Sequence, residues 1–207
     1  MTPFTQLRGA ATPMAEDNID TDIIFPARFL LITARDGLGQ YAFHDRRFDA
    51  EGQEIADFIL NRDPWRTAPI LIAGANFGSG SSREQAVWAL VGQGIRCVVA
   101  PGFGEIFHGN CFRNGVLPIV LPEDIVAVLS LAARQALTFT VDLEAQTLSV
   151  ANWDVISFDV GREHRLALLN GWDETDQILD ARGDEIAAFE TRHQQSQPWL
   201  FDRGTPA

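Results

Sequence analysis

Residues 69–91, "PILIAGANFGSGSSREQAVWALV", run from an apolar stretch through a Gly/Ser loop into a helical pattern. Pro69-Ile70-Leu71-Ile72-Ala73 has the character of a buried strand, and Ala86-Val87-Trp88-Ala89-Leu90-Val91 that of a helix. The loop between them, "GANFGSGSSREQ" (74–85), therefore leaves a strand and opens a helix.

Working outward, the spacing predicts a helix over Glu84–Val91, strands at Ile70–Ala73, Ile95–Ala100 and Leu117–Leu121, and a helix over Ile106–Phe112. That is a βαβαβ pattern with short loops. Pro122-Glu123-Asp124 then opens a helix over Ile125–Ala136, with proline in the first turn and acids near the positive helix end. Thr138–Leu143 and Thr147–Val150 alternate like a hairpin around Glu144-Ala145-Gln146, and Val155–Val160 offers a further strand. Before this core lie a strand at Thr5–Thr12, the acidic stretch "EDNIDTDIIFPARFL" (16–30) and a loop-rich span, Thr33–Phe48. After it come short helical pieces around Arg165–Leu169 and Asp184–Thr191. With no repeat, low-complexity tract or linker, the expectation is one α/β domain with a mixed sheet over 1–207. Its core spans about 5–160, and a C-terminal helical extension about 161–207.

At 207 residues, 46% of them hydrophobic, the chain is long enough to bury a core. A formal net charge of −12 argues against nucleic acid and anionic membranes as partners, so a small anion needs a local site. The longest apolar run, Ile125–Ala133, is far short of a membrane span, and MTPFTQLRG lacks a signal pattern, so the expected location is the cytoplasm. Cys97 and Cys111 lie in separate segments with neither disulfide nor metal spacing, and are expected to be reduced core residues. All sixteen basic residues are arginine. The absence of lysine excludes a Schiff-base enzyme and a P-loop nucleotide site on this polypeptide.

The 74–85 loop is rich in backbone donors and ends at a helix N-terminus, a combination that binds anions. Gly78-Ser79-Gly80-Ser81-Ser82-Arg83 has arginine where the dinucleotide pattern needs its last glycine, and its serines follow the glycines rather than forming a nucleophile elbow. Arg83 points to a carboxylate, which a planar guanidinium grips at two points beside the hydroxyls of Ser81 and Ser82. A structural alternative stands beside this one, because Ser81-x-x-Glu84 and Ser82-x-x-Gln85 both match a capping box.

"NFGSGSSRE" (76–84), followed by Gln85-Ala86-Val87-Trp88-Ala89-Leu90, together with "DNIDTDIIFPARFL" (17–30) and "GFGEIFHGNCFRNGVLPIVL" (102–121), resembles the small subunits of 3-isopropylmalate dehydratase. These are counterparts of aconitase's swivelling domain, and the resemblance runs through nearly the whole chain. It implies a swivelling-type β/β/α domain and a hydro-lyase of leucine biosynthesis. Such an enzyme isomerises 2-isopropylmalate and 3-isopropylmalate by dehydration and rehydration. It also implies that the [4Fe–4S] cluster belongs to a large partner subunit, with no cofactor on this chain; two cysteines in unrelated segments agree with that.

By the same resemblance Ser81 is the base at the substrate carbon, and Ser82 and Arg83 hold substrate carboxylate. Gly78 and Gly80 support the loop. Asp22, with Thr21 beside it, matches the family's acidic motif; its reading is orientation of a site arginine or of the cluster-side groups or, equally, an Asx turn or cap. Arg28 is a further candidate for the substrate carboxylate. His108 and Asn110 are expected to be structural. Gln85 departs from the family pattern, which has histidine there; it is expected to support the site by reaching back to the Ser82 N–H. Loop 33–48 stands where the family sets substrate preference, so another malate-like acid (a methylated malate, citramalate or homocitrate) is an alternative substrate. A non-catalytic anion-binding module of the same fold is the alternative from another class.

Overall fold

One strand, Gln6–Met14 (β1), joins two halves of a seven-stranded sheet in the computed structural model, which describes residues 1–151 and 153–201. Ala11–Met14 pairs in parallel with Ile70–Ala73 (β2), while Gln6–Ala10 pairs antiparallel with Thr138–Asp142 (β5). Beyond β2 lie the parallel strands Cys97–Ala100 (β3) and Leu117–Val120 (β4); beyond β5 lie the antiparallel Thr147–Val150 (β6) and Ile156–Ser157 (β7). The order is β4-β3-β2-β1-β5-β6-β7, a mixed α/β sheet as the sequence pattern implies.

The parallel strands are apolar at consecutive positions because both faces are covered. Ile70, Ile72, Cys97, Val99, Leu117 and Ile119 face one core, with Val126, Leu129, Ala132 and Ala133 of the helix Glu123–Arg134. Leu71, Ala73, Val98 and Ala100 face the other, with Ala86, Val87, Ala89 and Leu90 of the helix Glu84–Gly92. Each buried Val, Leu or Ile side chain among these contributes about 1.5–3 kcal/mol of transfer free energy.

Two short helices precede these: Thr21–Ile24 (α1) and His44–Arg47 (α2). We number the others in chain order: Glu84–Gly92 (α3), Glu105–Arg113 (α4), Glu123–Arg134 (α5), Arg162–Asn170 (α6) and Glu174–Ser196 (α7). Asp20 caps α1, accepting from the Ile23 N–H at 2.8 Å, and Pro26 forces the preceding Phe25 into extended backbone, which ends it.

Several boundaries differ from the sequence expectation. β1 runs on to Met14 through Pro13, because Pro13 lies beyond the part of β1 that pairs with β5 and needs no N–H on that side. β3 begins at Cys97 rather than Ile95, whose N–H closes the end of α3 on Leu90 O at 2.9 Å. Pro122 is the N-cap of α5, not a first-turn residue. Val155–Val160 contributes only Ile156–Ser157 to the sheet. Phe158 and Val160 instead donate to Gln146, at its carbonyl (3.0 Å) and side-chain oxygen (2.8 Å).

The chain divides into a unit Met1–Gly171, which includes α6, and a unit from Trp172 onward. In the latter, Asp173 and Asp176 form a reciprocal capping box at the start of α7, and the helix kinks at Arg182. α7 is much longer than the expected piece at Asp184–Thr191.

Loop 33–48 contains a 3-10 turn, Leu38–Tyr41, besides α2. It lies against the end of α3 through two glycines: a Cβ on Gly39 would stand 2.2 Å from the Gly92 carbonyl carbon. Gly39→Ala should therefore lower stability by about 1–3 kcal/mol in urea unfolding, since helix backbone cannot give way. Gly161→Ala, where a Cβ meets open space, should stay within about 0.5 kcal/mol.

Candidate active site

The Gly/Ser loop is held to its neighbours by backbone hydrogen bonds. Gly78 N–H donates to Ile19 O (2.7 Å), Thr21 N–H to Ser79 O (2.9 Å), Phe77 N–H to Gly102 O (3.1 Å) and Gly104 N–H to Phe77 O (2.9 Å). Gly78 is required twice over: its φ is +72°, and a Cβ would lie 2.2 Å from the Phe107 ring. Gly80 also has positive φ, at +94°.

The loop turns sharply just before α3. Arg83 N–H donates to Ser81 O at 2.8 Å, closing a γ-turn, and the Thr21 hydroxyl donates to the same carbonyl at 3.1 Å. The helix then starts at Glu84 with Arg83 as an N-cap whose side chain makes no cap bond. Neither expected capping box is formed: the third helical residue is Ala86, and Gln85, one position earlier, does not reach the Ser82 N–H. Among the described residues, the hydroxyls of Ser81 and Ser82 and the N–H groups of Gly80, Ser81, Ser82, Glu84 and Gln85 donate to no protein acceptor. Exposed hydroxyls and open amides thus face solvent at the positive end of a nine-residue helix.

Arg83 lies beside them with its side chain only 15% exposed, and its Nη1 is paired with Asp22 Oδ1. Nε and Nη2 bind no protein group among the described residues, so one edge of the guanidinium is open for a second carboxylate. The structure brings together Thr21, Asp22, Gly78, Gly80, Ser81, Ser82 and Arg83, with Gln85 in the first turn of α3.

Arg28 is placed differently. Its Nη1 donates to Asp45 Oδ2 at 2.9 Å, its Nη2 to Asp45 Oδ1 and to His44 Nδ1 (3.2 Å), and its guanidinium lies over the Phe29 ring. The hydrogen bond from Arg28 holds the Asp45 carboxyl below the usual carboxylate range. The sequence pattern presents Thr21 only as the neighbour of Asp22. The signal for its larger part is the unbroken Asp20-Thr21-Asp22, in which each residue makes a different bond: a cap, a tie to the loop and an ion pair.

Cys97 and Cys111 are fully buried, and burial pushes both thiols well above their ordinary pKa. Among the described residues no three His, Cys, Asp or Glu side chains are grouped to hold a metal ion. An iron–sulfur cluster needs several converging thiolates, so these residues do not fit one.

A family model for the aconitase C-terminal domain matches residues 1–124, and one for the C-terminal domain of the 3-isopropylmalate dehydratase small subunit matches residues 181–203. The 3-isopropylmalate dehydratase small subunit of Rhodospirillum centenum is 50% identical over 97% of this chain and 100% of its own length. This chain belongs to the 3-isopropylmalate dehydratase small-subunit family. Another small subunit of that name, from Gluconobacter oxydans, is also 50% identical, over 97% of this chain and 96% of its own. In fold, this family member is similar to a solved 3-isopropylmalate dehydratase from Methanocaldococcus jannaschii. The TM-score is 0.65 at 23% identity, covering 88% of this chain and 99% of that one. No helix among the described residues is long and apolar enough to cross a membrane.

His108, on α4, lies between the rings of Phe103 and Phe112, 5.5 and 5.1 Å away by centroid. Burial first, and then His164, pushes its pKa below the usual 6.5. The unfolded chain takes up this proton at a higher pH than the fold does. The stabilisation is therefore complete above about pH 6.5 and is lost as pH falls from there towards the depressed folded value. Between about pH 6.5 and 5, His108→Gln should flatten the pH dependence of the unfolding free energy, measured in urea at half-unit steps.

Proposed function

We propose that this chain is the small subunit of a cytoplasmic hydro-lyase that isomerises 2-isopropylmalate and 3-isopropylmalate in leucine biosynthesis, working with a large subunit that carries a [4Fe–4S] cluster. The observation that carries this reading is the open edge of Arg83 beside two unengaged serine hydroxyls, in a chain 50% identical to a named small subunit.

On this reading Arg83 receives a substrate carboxylate on Nε and Nη2 while Asp22 steadies Nη1, and Ser82 adds a hydroxyl to the same carboxylate. Ser81 takes the proton from the substrate carbon during loss of water and returns one during rehydration. A serine hydroxyl is a weak base in water, so its alkoxide needs donors already aimed at it. The open amides of the loop, the α3 terminus and the Arg83 cation supply them. Gly78 and Gly80 let the backbone take the required turn. Arg28 meets substrate only by releasing Asp45, which makes Arg83 the principal carboxylate contact. Gln85, whose side chain makes no hydrogen bond among the described residues, supports the site as a neutral group in the first turn of α3.

The test is co-expression with the large subunit and an anaerobic assay of unsaturated diacid absorbance across a panel of malate-like acids. The complex should turn over 3-isopropylmalate, whereas the isolated chain should show neither activity nor stoichiometric iron and sulfide; iron in the isolated chain would overturn the division of labour. Ser81→Ala should remove nearly all turnover while the complex still forms. Arg83→Lys keeps the charge but loses the two-point edge, and should cost about 2–4 kcal/mol in transition-state stabilisation, read from kcat/KM.

Gln85→His should change kcat by less than about tenfold, or about 1.4 kcal/mol. A large gain over a feeble wild type would show that the proton-carrying role at that position belongs to the family's histidine.

A further inference from the structure

Thr21 is only 1% exposed, yet both of its donors point at the Gly/Ser loop: the amide at Ser79 O (2.9 Å) and the hydroxyl at Ser81 O (3.1 Å). In a trans peptide the N–H points opposite to the C=O, and the Ser79–Gly80 and Ser81–Ser82 bonds are both trans. Two carbonyls turned inward to Thr21 therefore turn the N–H groups of Gly80 and Ser82 outward. That is the exposed side, where the Ser81 and Ser82 hydroxyls stand.

We propose that Thr21 is a positioning residue of this site, fixing two peptide planes so that the Gly80 and Ser82 amides face the substrate anion. The proposal rests on the dehydratase reading above. The main-chain amide holds the Ser79–Gly80 plane whatever the side chain, and the hydroxyl, rather than the volume of the side chain, holds the Ser81–Ser82 plane. Ser81 O keeps its bond from Arg83 N–H when the hydroxyl is removed, so no buried carbonyl is orphaned and the fold tolerates the change.

The test uses Thr21→Val, which keeps the shape and deletes the hydroxyl, and Thr21→Ser, which keeps the hydroxyl. In the complex with the large subunit, Thr21→Val should lower kcat about ten- to a hundredfold with KM within about threefold, the usual scale for a misaligned supporting group. Thr21→Ser should return to within about threefold of wild type. In the full-length free chain, the amide NMR shift of Ser82 should move in Thr21→Val and recover in Thr21→Ser, while that of Gly80, whose plane the Thr21 main chain still holds, should stay. Wild-type kcat for Thr21→Val in an active complex overturns the proposal, as does an unmoved Ser82 amide. An inactive wild-type complex overturns the dehydratase reading, and the amide shifts then decide whether Thr21 sets the loop. Should Thr21→Val fail to fold, Thr21→Ala takes its place against Thr21→Ser, with the same outcomes.

Discussion

Parallel pairing between β1 and β2 does not stop where the strands end, and the candidate site depends on that continuation. Asn18 N–H meets Ala75 O at 2.8 Å, and the ties Gly78 to Ile19 and Thr21 to Ser79 follow in the same sense, while Phe77 bridges in parallel to Phe103 beyond β3. The site is thereby built past the carboxyl ends of adjacent parallel strands, where loops on neighbouring strands converge. Main-chain groups make these ties, and among the described residues the hydroxyls of Ser81 and Ser82 and one edge of Arg83 make no bond to protein. The glycines follow from the same constraint: Gly78 must pass against Phe107, and Gly104 approaches the Gly78 carbonyl so closely that a Cβ would lie 2.7 Å from it.

The arginines of this acidic chain are engaged in two different ways. Arg28, Arg46 and Arg66 each meet a carboxylate with two hydrogen bonds, on Asp45, Glu16 and Glu54. Those forks are filled, and on exposed surface such pairs contribute little to stability. Arg83 is paired through Nη1 alone and is the least exposed of the four. The difference lies in geometry and burial, not in residue type.

The βαβαβ core was legible in the sequence because strands covered on both faces read as apolar runs. Ile70–Ala73 and Thr147–Val150 have the expected boundaries. What local pattern hid was set by distant partners. Pro13 argues against a strand until β5 is seen to pair only up to Ala10, and Val155–Val160 alternates like a strand although Gln146 captures its later amides. At the site, residue types pointed to Arg83 and the serines, but a capping-box pattern looks the same whether or not the helix begins on register. The γ-turn at Ser82, just before the helix starts at Glu84, shares its carbonyl with a hydroxyl sixty residues earlier in the chain.

The two-sided pairing of β1 also bears on the order in which the chain can be completed during synthesis. β1 is made before both of its partners, and its C-terminal half can find β2 once residue 73 has emerged; its N-terminal half waits for Thr138–Asp142. In that interval Gln6–Ala10 presents an open strand edge, the kind of surface that invites pairing with another chain. The parallel half can assemble while the nascent chain is still short of β5, but the sheet acquires its continuous form only after residue 142 has left the ribosome.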